Sequence, residues 1–206
     1  MADIRAQVNQ DVLQAYAEDV FKPLGMSKRG ELYVLDFHMR MVLEGRAYQV
    51  RAGTITTPLT GDVEITDTAA ETCMDAVLGT TIIPVFLNAT VESLNGGTLP
   101  NIAAKSVATV SSSGAAFVPL PYYSGGVAAV STARVAAAGA TTVTAELATT
   151  TLRHFEKQVA TAALEPLADH EWKMPPILNG PRCFYVQIAG VTAGPTYFAS
   201  FDYIEL

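Results

Sequence analysis

The chain has 206 residues, half of them hydrophobic and only 16% charged, with a formal net charge of −7. That length suits one β-sandwich or barrel, or one body with a small appendage, and the charge content lies below the roughly 25% of an average soluble domain. The acidic balance, with no basic run longer than Lys28-Arg29, argues against a nucleic-acid partner, because phosphate binding requires clustered cations that displace counterions.

Two cysteines, Cys73 and Cys183, are too few for a disulfide framework and read as buried thiols. The opening Met-Ala-Asp-Ile-Arg lacks the apolar stretch of a signal peptide. No run reaches the roughly 18 apolar residues that a membrane span needs. Synthesis in a host cytoplasm without export is expected, with no membrane partner.

Asp3 is placed to cap a helix through its side-chain oxygen. Behind it Ile4, Val8, Val12, Tyr16 and Val20 recur every four residues, and Arg5, Gln7, Asn9, Asp11, Gln14 and Glu18 take the other faces. This spacing predicts an amphipathic helix, ended by Lys22-Pro23 and Gly25. Residues 1–24 are read as a helical arm and 25–206 as a β body. The stripe of Ile4, Val8, Val12, Tyr16 and Val20 is the candidate interface. It packs either on the chain's own body or, through a hinge over 24–30, on a neighbouring subunit.

From Leu35 the period changes. Leu35, Phe37, Met39, Met41 and Leu43 alternate with Asp36, His38, Arg40, Val42 and Glu44, which predicts a strand with one buried face. Tyr48, Val50 and Ile55 continue in shorter strand-like pieces, and 63–66 reads as another. Ile83, Val85, Leu87, Ala89 and Val91 form a second alternating set. Pro84 cannot donate to a ladder and belongs at an edge or a bulge. Asn95-Gly96-Gly97 signals a turn. Residues 98–140 read as short strands and loops, and 142–147 alternates again. Residues 155–164 read as a short helix stopped by Pro166, and 169–181 as a long ordered loop pinned by Trp172. The chain closes with 183–189, a turn through 190–195, and 196–206. Phe184, Val186 and Ile188 share one face; Tyr197, Phe201 and Tyr203 share another. This predicts a terminal hairpin.

Short strands with turn signals between them, and no βαβ alternation, indicate a mainly β chain built as an antiparallel β-sandwich. A jelly roll is the first expectation, because long connections and a terminal strand suit it. An immunoglobulin-like sandwich is the second.

No catalytic constellation is visible. His38, His154 and His170 have no His-x-His or His-Glu-x-x-His spacing, so no metal ligand is assigned. There is no Gly-x-Ser-x-Gly elbow, Walker loop or dinucleotide fingerprint. No catalytic or cofactor-binding residue is assigned, no cofactor is expected, and the chain is read as a non-enzyme. Asp62, Glu64 and Asp67 read as a solvated face. Tyr122-Tyr123 and the aromatics of the last strand read as packing groups.

An acidic, low-charge chain rich in Thr, Ala and Gly, with a helical arm and a final strand Phe201-Asp202-Tyr203-Ile204-Glu205-Leu206, resembles the structural proteins of bacterial viruses. It is most similar in overall style to head decoration, or cement, proteins, which clamp the outside of a capsid, commonly as trimers. The resemblance implies a homo-oligomer, a trimer before other states, that docks on major capsid protein through its arm and resides in the virion. No functional residue is carried over from the family. The arm sets Arg5 and Lys22 against Asp3, Asp11, Glu18 and Asp19, which favours an outer layer over a shell that lines a genome. The alternatives are a jelly-roll coat protein that forms the shell itself, a receptor- or glycan-binding module of a fibre, and an enzyme whose pocket the linear sequence hides.

Overall fold

A computed structural model describes residues 36–136, 141–146, 151–159 and 166–206, with the backbone of Ala6–Gln7 and Phe21–Lys22. The chain divides into two compact units, Met1–Arg40 and Met41–Leu206. In the first, β1 (Ala6–Gln7) pairs antiparallel with β2 (Phe21–Lys22). The rest of the expected arm, with Ile4, Val8, Val12, Tyr16 and Val20, lies outside the described residues.

The alternation up to Leu43 predicts a strand, but the structure has a helix there, α1 (Phe37–Leu43). End signals override the period of two. Asp36 caps the helix: its Oδ2 accepts the His38 N–H at 3.0 Å, and its carbonyl accepts the Arg40 N–H at 2.9 Å. At the other end Gly45 sits at φ +71°. There the Arg46 N–H donates to the Met41 carbonyl at 2.8 Å, and the Gly45 N–H to the Val42 carbonyl at 3.0 Å, the two bonds of a Schellman motif. Phe37, Met39 and Leu43 are exposed, and Met41 is buried against Ile83 and Ile204.

The second unit is mainly β. Its strands are β3 (Ala47–Ala52), β4 (Leu59–Thr60), β5 (Ala69–Ala70), β6 (Thr72–Ala76), β7 (Thr81–Ser93), β8 (Asn101–Val107), β9 (Ala115–Phe117), β10 (Leu120–Pro121), β11 (Thr132–Val135), β12 (Thr141–Thr142), β13 (Leu152–Gln158), β14 (Pro166–Glu171), β15 (Leu178–Asn179), β16 (Arg182–Ala189) and β17 (Thr196–Glu205). One antiparallel sheet runs β10-β3-β17-β7-β14, with β4 added to β17 and β15 to β7; the other runs β13-β8-β16-β6-β11-β9. The eight longest strands pair in a nested order. The first pairs with the eighth (β3–β17), the second with the seventh (β6–β16), the third with the sixth (β7–β14) and the fourth with the fifth (β8–β13). The contacts β7–β17 and β8–β16 join these pairs into two walls of four.

Both walls contribute to one core, which includes Tyr48, Met74, Leu87, Ile102, Phe184 and Phe201. Fully burying each such side chain stabilises by roughly 1.5–3 kcal/mol. The Phe184 ring meets Trp172 edge-on at 5.6 Å and Phe201 at 6.0 Å, and stacks on His154 at 5.7 Å. Trp172 is buried as expected, but residues 169–171 of its expected loop are the end of β14 and 178–179 form β15.

Residues 141–146 lie across the outer side of the second sheet as a strap. β12 pairs with β5, the Val143 N–H donates to the Thr68 carbonyl at 2.9 Å, and Val143 packs with Cys73, Val107, Cys183 and Tyr185. The strap covers the outer face of β16 at Cys183 and Tyr185, and further along Gln187 donates to the Thr66 and Ala69 carbonyls, so every residue of β16 after Arg182 is buried. It also covers both thiols, which are free and buried as expected.

Several expectations are corrected. β16 and β17 do not form a terminal hairpin; they lie in different sheets. The alternation on each strand is right, because period two fixes which face is buried, but it does not choose the partner. The link 190–195 crosses between the sheets at close quarters: a Cβ on Gly194 would collide with the Gly61 carbonyl. The helix expected over 155–164 is strand through Gln158, because this segment completes the edge of the second sheet beside β8, and tertiary pairing overrides local propensity; residues 160–165 lie outside the described ones. Pro166 opens β14 on a sheet edge, where a missing N–H is tolerated. Residues 63–66 form no strand, and 142–146 alternates only in part, with Leu147 outside the described residues. Pro84 does sit at a bulge: Asp202 faces Phe86 and Tyr203 faces Pro84, so Val85 has no opposite residue on β17.

Candidate functional site

The registers define two ends of the second unit. Ala47 faces Ile204, Ile82 faces Glu205 and Ala76 faces Arg182, so loops 44–46, 77–80, 118–131 and 173–181 gather at what is here called the lower end. Ala52 faces Ala199, Ser93 faces Thr196 and Asn101 faces Ala189, so loops 53–62, 93–100 and 190–195 gather at the upper end.

The lower end is built from an uncharged stretch. Between Lys105 and Arg134 the sequence has no Asp, Glu, Lys or Arg. Its segment 118–131 leaves the second sheet, adds β10 to β3, and returns as β11. The first sheet holds it down firmly. Glu205 accepts the Val130 N–H at 2.9 Å and the Ser131 N–H at 2.7 Å, one on each carboxylate oxygen. Ser131 Oγ and the Tyr203 hydroxyl share a bond of 2.7 Å, and the Tyr48 hydroxyl donates to the Val127 carbonyl at 3.2 Å. The Tyr122 N–H donates to the Ala47 carbonyl at 3.0 Å, and Gln49 Nε2 donates to the Tyr122 hydroxyl at 3.0 Å and to Asp202 Oδ1 at 2.9 Å. Burial pushes the Tyr203 phenol well above its usual range; burial, then the Asp202 carboxylate, does the same for Tyr122.

A second buried carboxylate ties down the entry to this stretch. Asp75 accepts from the Ser111 N–H at 2.8 Å and from Ser111 Oγ at 2.6 Å. Hydrogen bonds to a charged group contribute about 1.5–3 kcal/mol each. The loop therefore presents its apolar side chains from a fixed backbone. Val118, Tyr122, Tyr123, Val127 and Val130 are exposed, beside Leu78 at 85% and Met174 at 90% exposure. The result is an exposed apolar surface on a loop held by hydrogen bonds.

Comparison with family models, curated proteins and solved structures finds no match.

Two other clusters carry polar chemistry. Glu146, on the strap, accepts from Lys105 Nζ at 2.8 Å and from Arg153 Nε at 2.9 Å. The Lys105 and then the Arg153 hydrogen bonds hold its carboxyl below the usual range. With Asp67 and Thr151, Glu146 and Arg153 line an open hollow of about 570 Å³. Lys105 and Arg153 both bond Glu146, and Arg153 also lies 3.6 Å from Glu156, so the cluster anchors the strap. The other cluster is Ser106 Oγ with His154 Nε2 at 2.8 Å. The bulge between Arg153 and Phe155 turns His154 inward, and burial lowers its pKa. The distance is that of a nucleophile and its base, but Ser106 has no exposed surface, so the pair is a packed polar link. His170 lies between Phe155 at 4.6 Å and Trp172 at 4.9 Å in a row of rings.

Among the described residues no group of three His, Cys, Asp or Glu side chains is placed to hold a metal, and no helix is long and apolar enough to cross a membrane. Of Asp62, Glu64 and Asp67, Asp62 lies against Glu71, which is buried and accepts the Asp62 N–H at 3.2 Å and the Ile188 N–H at 2.7 Å, while Asp67 shares its hollow with Glu146. Tyr197, Phe201 and Tyr203 are core residues, while Tyr122 and Tyr123 are exposed. Sequence reading missed the uncharged stretch as a surface, although the gap in charge from Lys105 to Arg134 was there to be seen.

Proposed function

We propose that this chain is a virion structural protein: a jelly-roll subunit that works by packing against other subunits, in an outer, decorating layer of a viral shell. The observation that carries the reading is the nested pairing of eight strands, first with eighth through fourth with fifth. That pairing supports the reading as a jelly roll, a fold used by viral shell proteins, lectins and cupins. Fold alone does not give function. The choice among these uses rests on the surface: a fixed apolar loop without charged side chains suits a protein–protein contact, and the interior is packed with large side chains, among them Tyr48, Phe184 and Phe201. In this reading the partners are further copies of the chain and a major capsid protein, and residues 1–24 supply a second contact through Ile4, Val8, Val12, Tyr16 and Val20.

A coat role is the second reading, and the same nested pairing favours it, because closed shells are built from such subunits. Light scattering and electron microscopy of the purified chain, with and without residues 1–24, separate the outcomes. A small discrete oligomer, a trimer first of all, supports the outer-layer role. Closed particles from the chain alone transfer the assignment to the coat role. A monomer at every concentration in both forms overturns the structural reading.

A further inference from the structure

We propose that copies of this chain meet end to end, the lower end of one seated on the upper end of the next. This deepens the assembly reading above and rests on it. The two ends match in apolar character. Val127, Leu78 and Met174 are exposed below, and Ile55, Val63 and Val191 above. They are opposite in charge. Lys173 and Arg182 stand at the lower end, beside the uncharged loop, and neither forms an ion pair with a described residue. Asp62, Glu64 and Glu92 stand at the upper end and likewise form none. At the upper end Lys157 donates to the Pro166 carbonyl at 3.0 Å and Arg51 to Gln49 Oε1; at the lower end Glu44 pairs with Arg46 at 3.8 Å and Glu205 accepts the Val130 and Ser131 N–H groups. A chain of net charge −7 repels its own copies wherever acidic faces meet. Seating the acidic end on the basic end removes that repulsion and pairs charges that are otherwise unmatched. Both halves of the complement belong to one chain, so the occupant is a second copy. The contact is head-to-tail, and its geometry either closes into a ring or extends as a filament.

Charge reversal tests this on the full chain by sedimentation velocity over a concentration series. Lys173→Glu with Arg182→Glu makes both ends acidic; Glu64→Lys with Glu92→Lys makes the upper end basic like the lower. Each variant alone is expected to associate about a hundredfold more weakly than the parent. An equimolar mixture of the two is expected to recover association, because an acidic lower end then finds a basic upper end and the reverse. Folding of each variant is checked by its melting curve, and recovery on mixing cannot come from unfolded chains. Association that ignores both reversals, or that is lost and not recovered on mixing, overturns this contact alone. A parent chain that stays monomeric at every concentration overturns both this contact and the assembly reading.

Discussion

Glu205→Gln is the substitution that most directly tests how the lower end is held. In the parent each carboxylate oxygen accepts one backbone N–H, from Val130 and from Ser131. The amide keeps one acceptor and turns an NH₂ group toward the other N–H, so one buried donor loses its partner and faces a second donor. Leaving such a donor unsatisfied costs about 1–3 kcal/mol, and about 2 kcal/mol is expected here. For a chain of this size that lowers Tm by about 4–8 °C. The local effect is sharper. Amide exchange at Val130 and Ser131 should accelerate about 30-fold, the same 2 kcal/mol read as an opening equilibrium, while amides in β16 change only with global stability. Calorimetry and site-resolved hydrogen exchange measure both quantities. If the variant melts with the parent and keeps full protection at Val130 and Ser131, the loop is held by something other than this carboxylate, and the case for a preorganised surface fails.

Burial pushes the Glu71 carboxyl up to about 8, against the lowering effect of the Ile188 hydrogen bond. The folded chain therefore keeps a proton that the unfolded chain releases between about pH 4.5 and 8, and this group's contribution to stability falls as pH rises through that window, by at most about 1.4 kcal/mol per unit. Denaturant unfolding at pH 5, 6.5 and 8 should show a steeper fall for the parent than for Glu71→Gln; parallel profiles would contradict it. Phe184→Ala removes the ring that meets His154, Trp172 and Phe201 and should cost about 3–5 kcal/mol, read as a shift of the urea midpoint without a change of slope. Both thiols lie under Val143, and burial raises the Cys183 thiol well above its usual value. The native chain should be inert to a thiol reagent, and Val143→Ser should expose both cysteines to it at rates set by local opening; fast labelling of the parent would refute the strap as a cover.

What the sequence made legible was faces. The alternations in β16 and β17 placed Phe184, Val186 and Ile188 on one buried side and Tyr197, Phe201 and Tyr203 on another, and the structure agrees. Partners were not legible, since residues 190–195 look like a hairpin turn whether or not the strands that flank them pair. The stretch from Phe37 to Leu43 misled because its apolar spacing fits both periods. Asp36 and Gly45 carried the deciding information, in a cap and a left-handed residue. At the candidate surface the gap in charge was readable, but the groups that fix the loop were not: Glu205 and Tyr203 lie more than 70 residues from the loop residues they hold.

The nested pairing also sets a timetable. β3 must wait for β17, whose residues lie about 150 positions further along the chain. At about 5–20 residues per second of synthesis, that wait is roughly 8–30 s. Through it, the edges of β3 and β7 that β17 will fill are open, so the nascent chain passes its most aggregation-prone interval with its longest strand, β7, unpaired on one side. Closure by such distant pairing is intrinsically slow. Yield in the cell should therefore depend more on how well those waiting edges are shielded than on the stability of the finished fold.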